Sequence, residues 1–197
     1  MVRNLKINPY LIKYPWTFWD GWLNQDEAKA WKMILLEKVL WEEMTITVYG
    51  KKHLTPRLSA FLGEEGISYR YSGVVHRANG FPTWFLPLLN KVNTSSQIIF
   101  NGCLLHLYRD GIDCMGWHAD DEKEIDPNSP ISSLSLGAKR DFIFKNRRSL
   151  QKEILNLDNG DLLLMHPNCQ KDWLHSLPVR KRINKPRINL TFRKFIA

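Results

Sequence analysis

The sequence predicts an α+β, mainly β domain in which N-terminal helices buttress a β-sandwich or jelly roll. Three observations lead there. Apolar residues recur at helical spacing only before residue 97, short alternating runs crowd the chain after it, and turn signals separate those runs. Helices first and many short strands afterwards describe helices laid on a β-sandwich or jelly roll, not a parallel βαβ array. At 197 residues one packed core is expected. We divide that domain into an N-terminal extension (1–45), a middle region (46–96) and the jelly-roll core (97–197).

From Asn24 the chain opens on a capping residue with acids in the first turn. Ala28, Trp31, Ile34, Leu35, Lys38 and Val39 then mark one face, predicting a helix over residues 25–39 that supports a sheet. A second helix is predicted over 83–93, with Pro87 limiting where it begins. The strand-like runs are 98–100, 103–108, 132–136, 141–145, 153–157, 161–166 and 187–193. Arg109-Asp-Gly, Asp126-Pro-Asn-Ser-Pro and Asp158-Asn-Gly are among the turns between them.

Composition excludes several classes. With 44% hydrophobic and 24% charged residues, 11 Gly and 10 Pro, the chain is neither disordered nor collagen-like. No apolar run approaches the roughly 18 residues of a membrane span, so an intracellular address and no membrane partner are expected. Cys103, Cys114 and Cys169 form no CxxC pair and read as reduced thiols. The net charge of +8 is unevenly placed: residues 1–138 hold 14 basic and 15 acidic side chains, residues 139–197 hold 14 and 5. A one-sided basic surface attracts a polyanion, most commonly nucleic acid, and 23 aromatic residues include candidates for base stacking.

Trp117-His118-Ala119-Asp120 sets an imidazole and a carboxylate at i and i+2, on one face if the segment is extended. Alone this pattern is common. With His175 as a third ligand it makes the two-histidine, one-carboxylate set of non-haem Fe(II) oxygenases, a set that also fits catalytic zinc. In Arg187-Ile-Asn-Leu-Thr-Phe-Arg193, Arg187, Asn189, Thr191 and Arg193 share one face and Ile188, Leu190 and Phe192 the other. Either the polar face is solvated on an edge strand, or it faces a barrel interior where two guanidiniums need carboxylate partners. A dicarboxylate such as 2-oxoglutarate would supply them.

The spacing of HxD, His175, Arg187 and Arg193 resembles that of the AlkB family of Fe(II)/2-oxoglutarate-dependent nucleic-acid dealkylating dioxygenases, with Arg-Ile-Asn-Leu-Thr-Phe-Arg close to the family's signature. Val48-Tyr-Gly-Lys, Pro56-Arg, Tyr69-Arg-Tyr-Ser-Gly, His118-Ala-Asp-Asp-Glu, Gly137-Ala-Lys-Arg-Asp-Phe and His175-Ser-Leu-Pro-Val-Arg-Lys are similar to the animal homologues that repair alkylated duplex DNA. The similarity runs from about residue 46 to 195 and implies a double-stranded β-helix. It implies Fe(II) on His118, Asp120 and His175, and 2-oxoglutarate held by Tyr108, Arg187 and Arg193 with Asn189 behind. His106 stands where the family usually has Asn. It further implies that 46–96 recognises the nucleotide: Tyr71 stacks on the damaged base opposite His118, Tyr69, Arg70 and Ser72 lie nearby, and Asp121 approaches the exocyclic amine. Tyr49, in the loop Tyr49-Gly50-Lys51, is the implied duplex wedge. The basic run from Arg180 to Arg182 reads as a phosphate contact, and Trp117 and Trp173 as packing behind the two histidines.

The implied reaction consumes O2, converts 2-oxoglutarate to succinate, hydroxylates an N-alkyl carbon and releases an aldehyde. Expected substrates are 1-methyladenine and 3-methylcytosine in DNA, acted on by a monomer. An enzyme acting on RNA or single strands, or a non-catalytic nucleic-acid-binding module, are the alternatives.

Overall fold

The computed structural model describes residues 14–48, 51–71 and 74–196. Strands β1 (Trp16–Trp19), β2 (Glu42–Val48), β3 (Lys51–Gly63), β4 (Ser68–Tyr71), β5 (Val74–Arg77) and helices α1 (Gln25–Lys38) and α2 (Leu86–Ser96) precede the core. The core runs β6 (Gly102–Tyr108), β7 (Met115–His118), β8 (Ile131–Gly137), β9 (Arg140–Asn146), β10 (Lys152–Leu157) and β11 (Leu162–Met165). It ends with a short helix α3 (Pro167–Asp172), β12 (Trp173–Leu177) and β13 (Arg187–Arg193). Among the described residues no helix is long and apolar enough to cross a membrane.

One sheet has the order β1-β11-β8-β13-β6-β3-β2, a second β10-β9-β12-β7, and β4 and β5 form a separate hairpin. From β6 to β13 the chain passes back and forth between the two larger sheets, which makes the core the expected double-stranded β-helix. Its pairings are antiparallel.

Helix α1 begins as its sequence predicts. The Asn24 side chain accepts from the Glu27 amide and Glu27 reaches back to the Asn24 amide, a capping box. Glu27 also meets Lys91 at 2.8 Å, tying α1 to α2. Ala28, Leu35 and Val39 are buried, while Lys38, placed on the same face by spacing, is exposed beyond the sheet it would cover. The second helix starts as a 3-10 turn at Thr83–Phe85 and continues three residues further than predicted. Leu88, Leu89 and Val92 of α2 join Leu105, Leu134, Leu136, Ile188, Leu190 and Phe192 on the outer face of the seven-stranded sheet.

Residues 98–100 are not a strand. Gln97 caps α2 in the left-handed region, and the Asn93 side chain accepts from the Phe100 amide, so the chain turns out of the helix instead of pairing. Alternation also missed β2, which begins in the N-terminal extension, and β3 in the middle region, where polar residues interrupt it.

Candidate active site

Leu104, Ile131, Phe142, Phe144, Met165 and Leu177 belong to a second buried cluster, and the pocket opens within it, lined by Phe142, Met165 and Leu177. Because β13 runs through the middle of the large sheet and all seven of its residues are buried, its alternation is resolved. Ile188, Leu190 and Phe192 lie under the helices. Arg187, Asn189, Thr191 and Arg193 line the pocket.

Opposite them, His118 of β7 and His175 of β12 are direct cross-strand partners. Their rings stand 4.1 Å apart between centroids. Asp120 follows β7, and its two carboxylate oxygens each lie 3.9 Å from one imidazole Nε2. Both separations bring the donors close enough to converge on one ion with small side-chain adjustment. The donors of all three residues fall within 4.8 Å of one another.

The surroundings prepare each ligand. His118 Nδ1 is 2.9 Å from the Gly116 carbonyl, which fixes a proton there and leaves Nε2 its lone pair. His175 packs on Phe142 and Phe144. Burial, with His118 nearby, pushes its pKa down to about 3, so it is held neutral as a metal ligand must be. Burial, the largest single influence, would raise the Asp120 carboxyl, but the charge and hydrogen bond of Arg193 together with the two neighbouring imidazoles keep the group below its ordinary value and ionised. Arg193 Nη2 donates to Asp120 Oδ1 at 2.6 Å, and Gln170 Oε1 accepts from the Asp120 amide. The set therefore fits a divalent ion of the Fe(II) or Zn(II) type.

The co-substrate side is built by Arg187, which is 1% exposed. Its Nη2 donates to Ser135 Oγ at 2.8 Å, while Nε and Nη1 are buried with no hydrogen-bond partner among the described residues. Burial lowers its pKa to about 10. A guanidinium so placed has hydrogen-bond donors left over for a carboxylate. Tyr108 lies between Arg187 and Arg140, whose guanidinium carbons are 5.6 and 5.9 Å from its ring centroid. Asn189 Nδ2 donates to Ser133 Oγ and the Leu134 carbonyl, so it stands behind the arginine as part of the wall. His106 lines the same pocket, its Nδ1 2.9 Å from Ser59 Oγ. Burial holds it well below its ordinary pKa and neutral.

Several residues had no motif to announce them. Ser133 and Ser135 could have been found, since Ser-Ser-Leu-Ser-Leu repeats on β8 the alternation of β13, its registered partner. Arg140 could not: its guanidinium donates to the carbonyls of Asp110 and Asp113 in the loop after β6 and of Pro178 in the loop after β12, and so ties two loops together. Glu122 enters through Tyr69.

Tyr69, expected beside the substrate base, is instead fully buried. Its hydroxyl donates to Glu122 Oε1 at 2.7 Å and accepts from Arg193 Nη1 at 2.6 Å, with its ring against Phe61 and Phe195. It supports Arg193. Likewise Arg193, expected on 2-oxoglutarate, directs its two Nη groups to Tyr69 and Asp120. Asp121 is exposed at the mouth and pairs with Arg147 at 3.3 Å. Tyr49, Gly50 and Ser72 lie outside the described residues; Lys51 opens β3, and Arg70 and Tyr71 are in β4.

Arg180 is engaged by Asp141, leaving Lys181 and Arg182 as the exposed cations of the basic run. That loop is docked on Gly111, where an added Cβ would fall 1.9 Å from the Arg180 carbonyl oxygen. Trp173 packs against Trp16 and Phe144 as expected. Trp117 is 41% exposed and lies under Lys145 and Lys152, because alternation on β7 turns it away from the pocket that His118 faces.

A model of the 2OG-Fe(II) oxygenase superfamily matches residues 16–193. The DNA oxidative demethylase ALKBH2 of Mus musculus is 41% identical over 163 residues, covering 77% of this chain and 66% of the mouse protein. The alpha-ketoglutarate-dependent dioxygenase alkB homolog 3 of Homo sapiens is 32% identical over 187 residues, covering 89% and 64%. The chain thus spans slightly less than two-thirds of the length of these relatives. The solved structure of OsALKBH1 superposes with a TM-score of 0.66 over 91% of this chain and 96% of that one at 14% identity, a likeness of fold. Family model, relatives and the His118, Asp120, His175 cluster agree: the chain belongs to the 2OG-Fe(II) oxygenase superfamily, as a member of its AlkB family.

Proposed function

We propose that this chain is an Fe(II)/2-oxoglutarate dioxygenase that removes alkyl groups from nucleobases, with 1-methyladenine and 3-methylcytosine in duplex DNA as its preferred targets. The observation that carries this reading is Arg187, buried with two partnerless donors in the same pocket as the three metal ligands. A DNA substrate is further supported by the name of the mouse relative, DNA oxidative demethylase, and by the basic last third of the chain.

Iron, when bound with 2-oxoglutarate and O2, would supply the oxidation; hydroxylation of the N-alkyl carbon, with 2-oxoglutarate going to succinate and CO2, would give a hemiaminal that collapses to free base and aldehyde. The protein's part is orientation. His118, Asp120 and His175 would hold the metal. Arg187 binds a carboxylate of 2-oxoglutarate, and the Tyr108 ring beside it fixes its plane. Arg193 holds Asp120 ionised and in place, and is itself held by Tyr69. Phe142, Leu177 and Met165 close the pocket to water. The base reaches it only after leaving the stack, which costs less when methylation has spoiled its Watson–Crick edge. Tyr71 and Asp121 receive it, and Tyr49 fills the space it leaves.

Mass spectrometry of methylated oligonucleotides, duplex and single-stranded, incubated with Fe(II), ascorbate and 2-oxoglutarate tests this. Loss of one methyl mass, larger for the duplex, is expected. Tyr49→Ala should depress the duplex reaction far more than the single-strand one. Equal losses would move the reading to single strands or RNA, and no demethylation of either would end it.

A further inference from the structure

A second buried guanidinium stands next to the co-substrate side of the pocket without belonging to its wall. Arg187 on β13 is registered to Tyr108 on one side and to Gly137, the last residue of β8, on the other. Three residues after Gly137 the chain has crossed to the four-stranded sheet, and Arg140 opens β9 there. Arg140 is as deeply buried as Arg187. Its guanidinium carbon lies 5.9 Å from the centroid of the Tyr108 ring, and that of Arg187 lies 5.6 Å from the same centroid. Tyr108 and Arg187 line the pocket, so Arg140 meets it through the Tyr108 ring.

Tying loops together does not by itself call for a cation here. Gly111 already donates to the Ile183 carbonyl at 2.7 Å, and the Arg180 amide donates to the Gly111 carbonyl at 2.6 Å, so the same two loops are joined through their backbones. Among the described residues the hydrogen bonds of Arg140 all go to backbone carbonyls, and its Nε is buried with none. The acids around it are engaged elsewhere: Asp113 takes the fork of Arg109 at 2.9 and 3.0 Å, and Asp141 takes Arg180 at 2.6 Å. Burying a charge that no carboxylate answers is costly. A guanidinium so desolvated keeps a strong attraction for an aromatic face, and the face it meets is Tyr108. We propose that Arg140 is a positioning residue for 2-oxoglutarate, holding the Tyr108 ring by a cation–π contact where that ring, with Arg187, receives the co-substrate. This inference rests on the reading of Arg187 as the residue that binds a 2-oxoglutarate carboxylate, and adds what fixes the other half of that subsite.

Calorimetric titration of 2-oxoglutarate into the Mn(II)-loaded protein, kept free of O2, tests it in a double-mutant cycle with Tyr108→Leu. Where binding is too weak to titrate, kcat/KM for 2-oxoglutarate in the iron-loaded enzyme closes the cycle. Arg140→Gln should weaken 2-oxoglutarate binding about 5- to 30-fold, the range of a desolvated cation–π contact. Mn(II) affinity, and turnover at saturating 2-oxoglutarate, should stay within about twofold of wild type, and once Tyr108 is Leu the Arg140→Gln change should have no further effect. Arg140→Lys keeps a cation beside the ring and should recover most of the loss, leaving about two- to threefold, again only with Tyr108 present. If Arg140→Gln does not fold, Arg140→Lys carries the cycle. Unchanged 2-oxoglutarate affinity in the variant that carries the cycle would overturn the proposal and leave Arg140 as a tie between loops. An equal loss in the Tyr108→Leu background, or a parallel loss of Mn(II) affinity, would overturn it too. A wild type that binds Mn(II) but not 2-oxoglutarate would overturn the reading of Arg187, and this inference with it.

Discussion

The two walls of the pocket are built from opposite materials. The wall of the large sheet presents Arg187, Asn189, Thr191 and Arg193 with Ser133 and His106, whereas the wall of the small sheet presents Phe142, Leu177 and Met115 around His118 and His175. The difference separates two chemical needs. An imidazole ligand must stay neutral, and apolar walls keep it so; a dicarboxylate needs fixed cations, and a hydrogen-bonded polar strand can hold them. Asp120 is the exception that joins the walls, since it sits with the histidines but is held ionised by Arg193 from across the pocket.

If that is the joint, breaking it should cost most. Asp120→Ala leaves the Arg193 guanidinium, 2% exposed, without its carboxylate, and should destabilise the metal-free protein by about 3–5 kcal/mol. It should also abolish iron binding and turnover. His175→Ala should abolish the same two functions at a smaller cost in stability, because it leaves no charge stranded. Denaturant midpoints of the two metal-free variants make the comparison, and equal midpoints would dissolve the distinction between the walls.

The next effect belongs to the polar wall alone. Arg187→Lys keeps a charge but loses the planar fork, so the 2-oxoglutarate requirement should rise by roughly 10- to 100-fold, the equivalent of about 1.5–3 kcal/mol. Iron affinity should stay unchanged. Succinate release as a function of 2-oxoglutarate, alongside a metal titration, reads both.

A smaller loss is expected one contact further out. Tyr69→Phe removes the hydroxyl shared by Arg193 and Glu122, two groups that stay buried, and should cost about 1–3 kcal/mol in thermal or chemical unfolding. A neutral outcome would show that Arg193 is held by Asp120 alone.

The smallest effect is one of pH. His106 is neutral in the folded protein and takes up a proton near its ordinary value of 6.5 once unfolded. Its stabilisation is therefore fully present above pH 6.5 and is lost as pH falls below it, at up to about 1.4 kcal/mol per pH unit. His106→Asn should make the decline of metal-free stability between pH 6.5 and 5 shallower by up to that slope. An unaltered decline would assign the acid sensitivity to His175 and the remaining groups.

Much of this was legible in the sequence. Period-two alternation in 187–193 sorted four polar from three apolar side chains, the Asn24 cap and its acids located α1, and the residue types at 118, 120 and 175 limited the metal chemistry. What remained open was which face of each strand points inward. That depends on what covers it: α1 and α2 lie on the Ile188, Leu190 and Phe192 side, so the arginines face the second sheet. The roles of Tyr69 and Arg193 were likewise decided by contacts across 124 and 73 residues of chain, through hydrogen bonds that local spacing does not encode. The same alternation that sends His118 inward sends Trp117 outward, and only the neighbouring strands, with Lys145 and Lys152 facing each other, turn that exposed ring into a surface with a charge of its own.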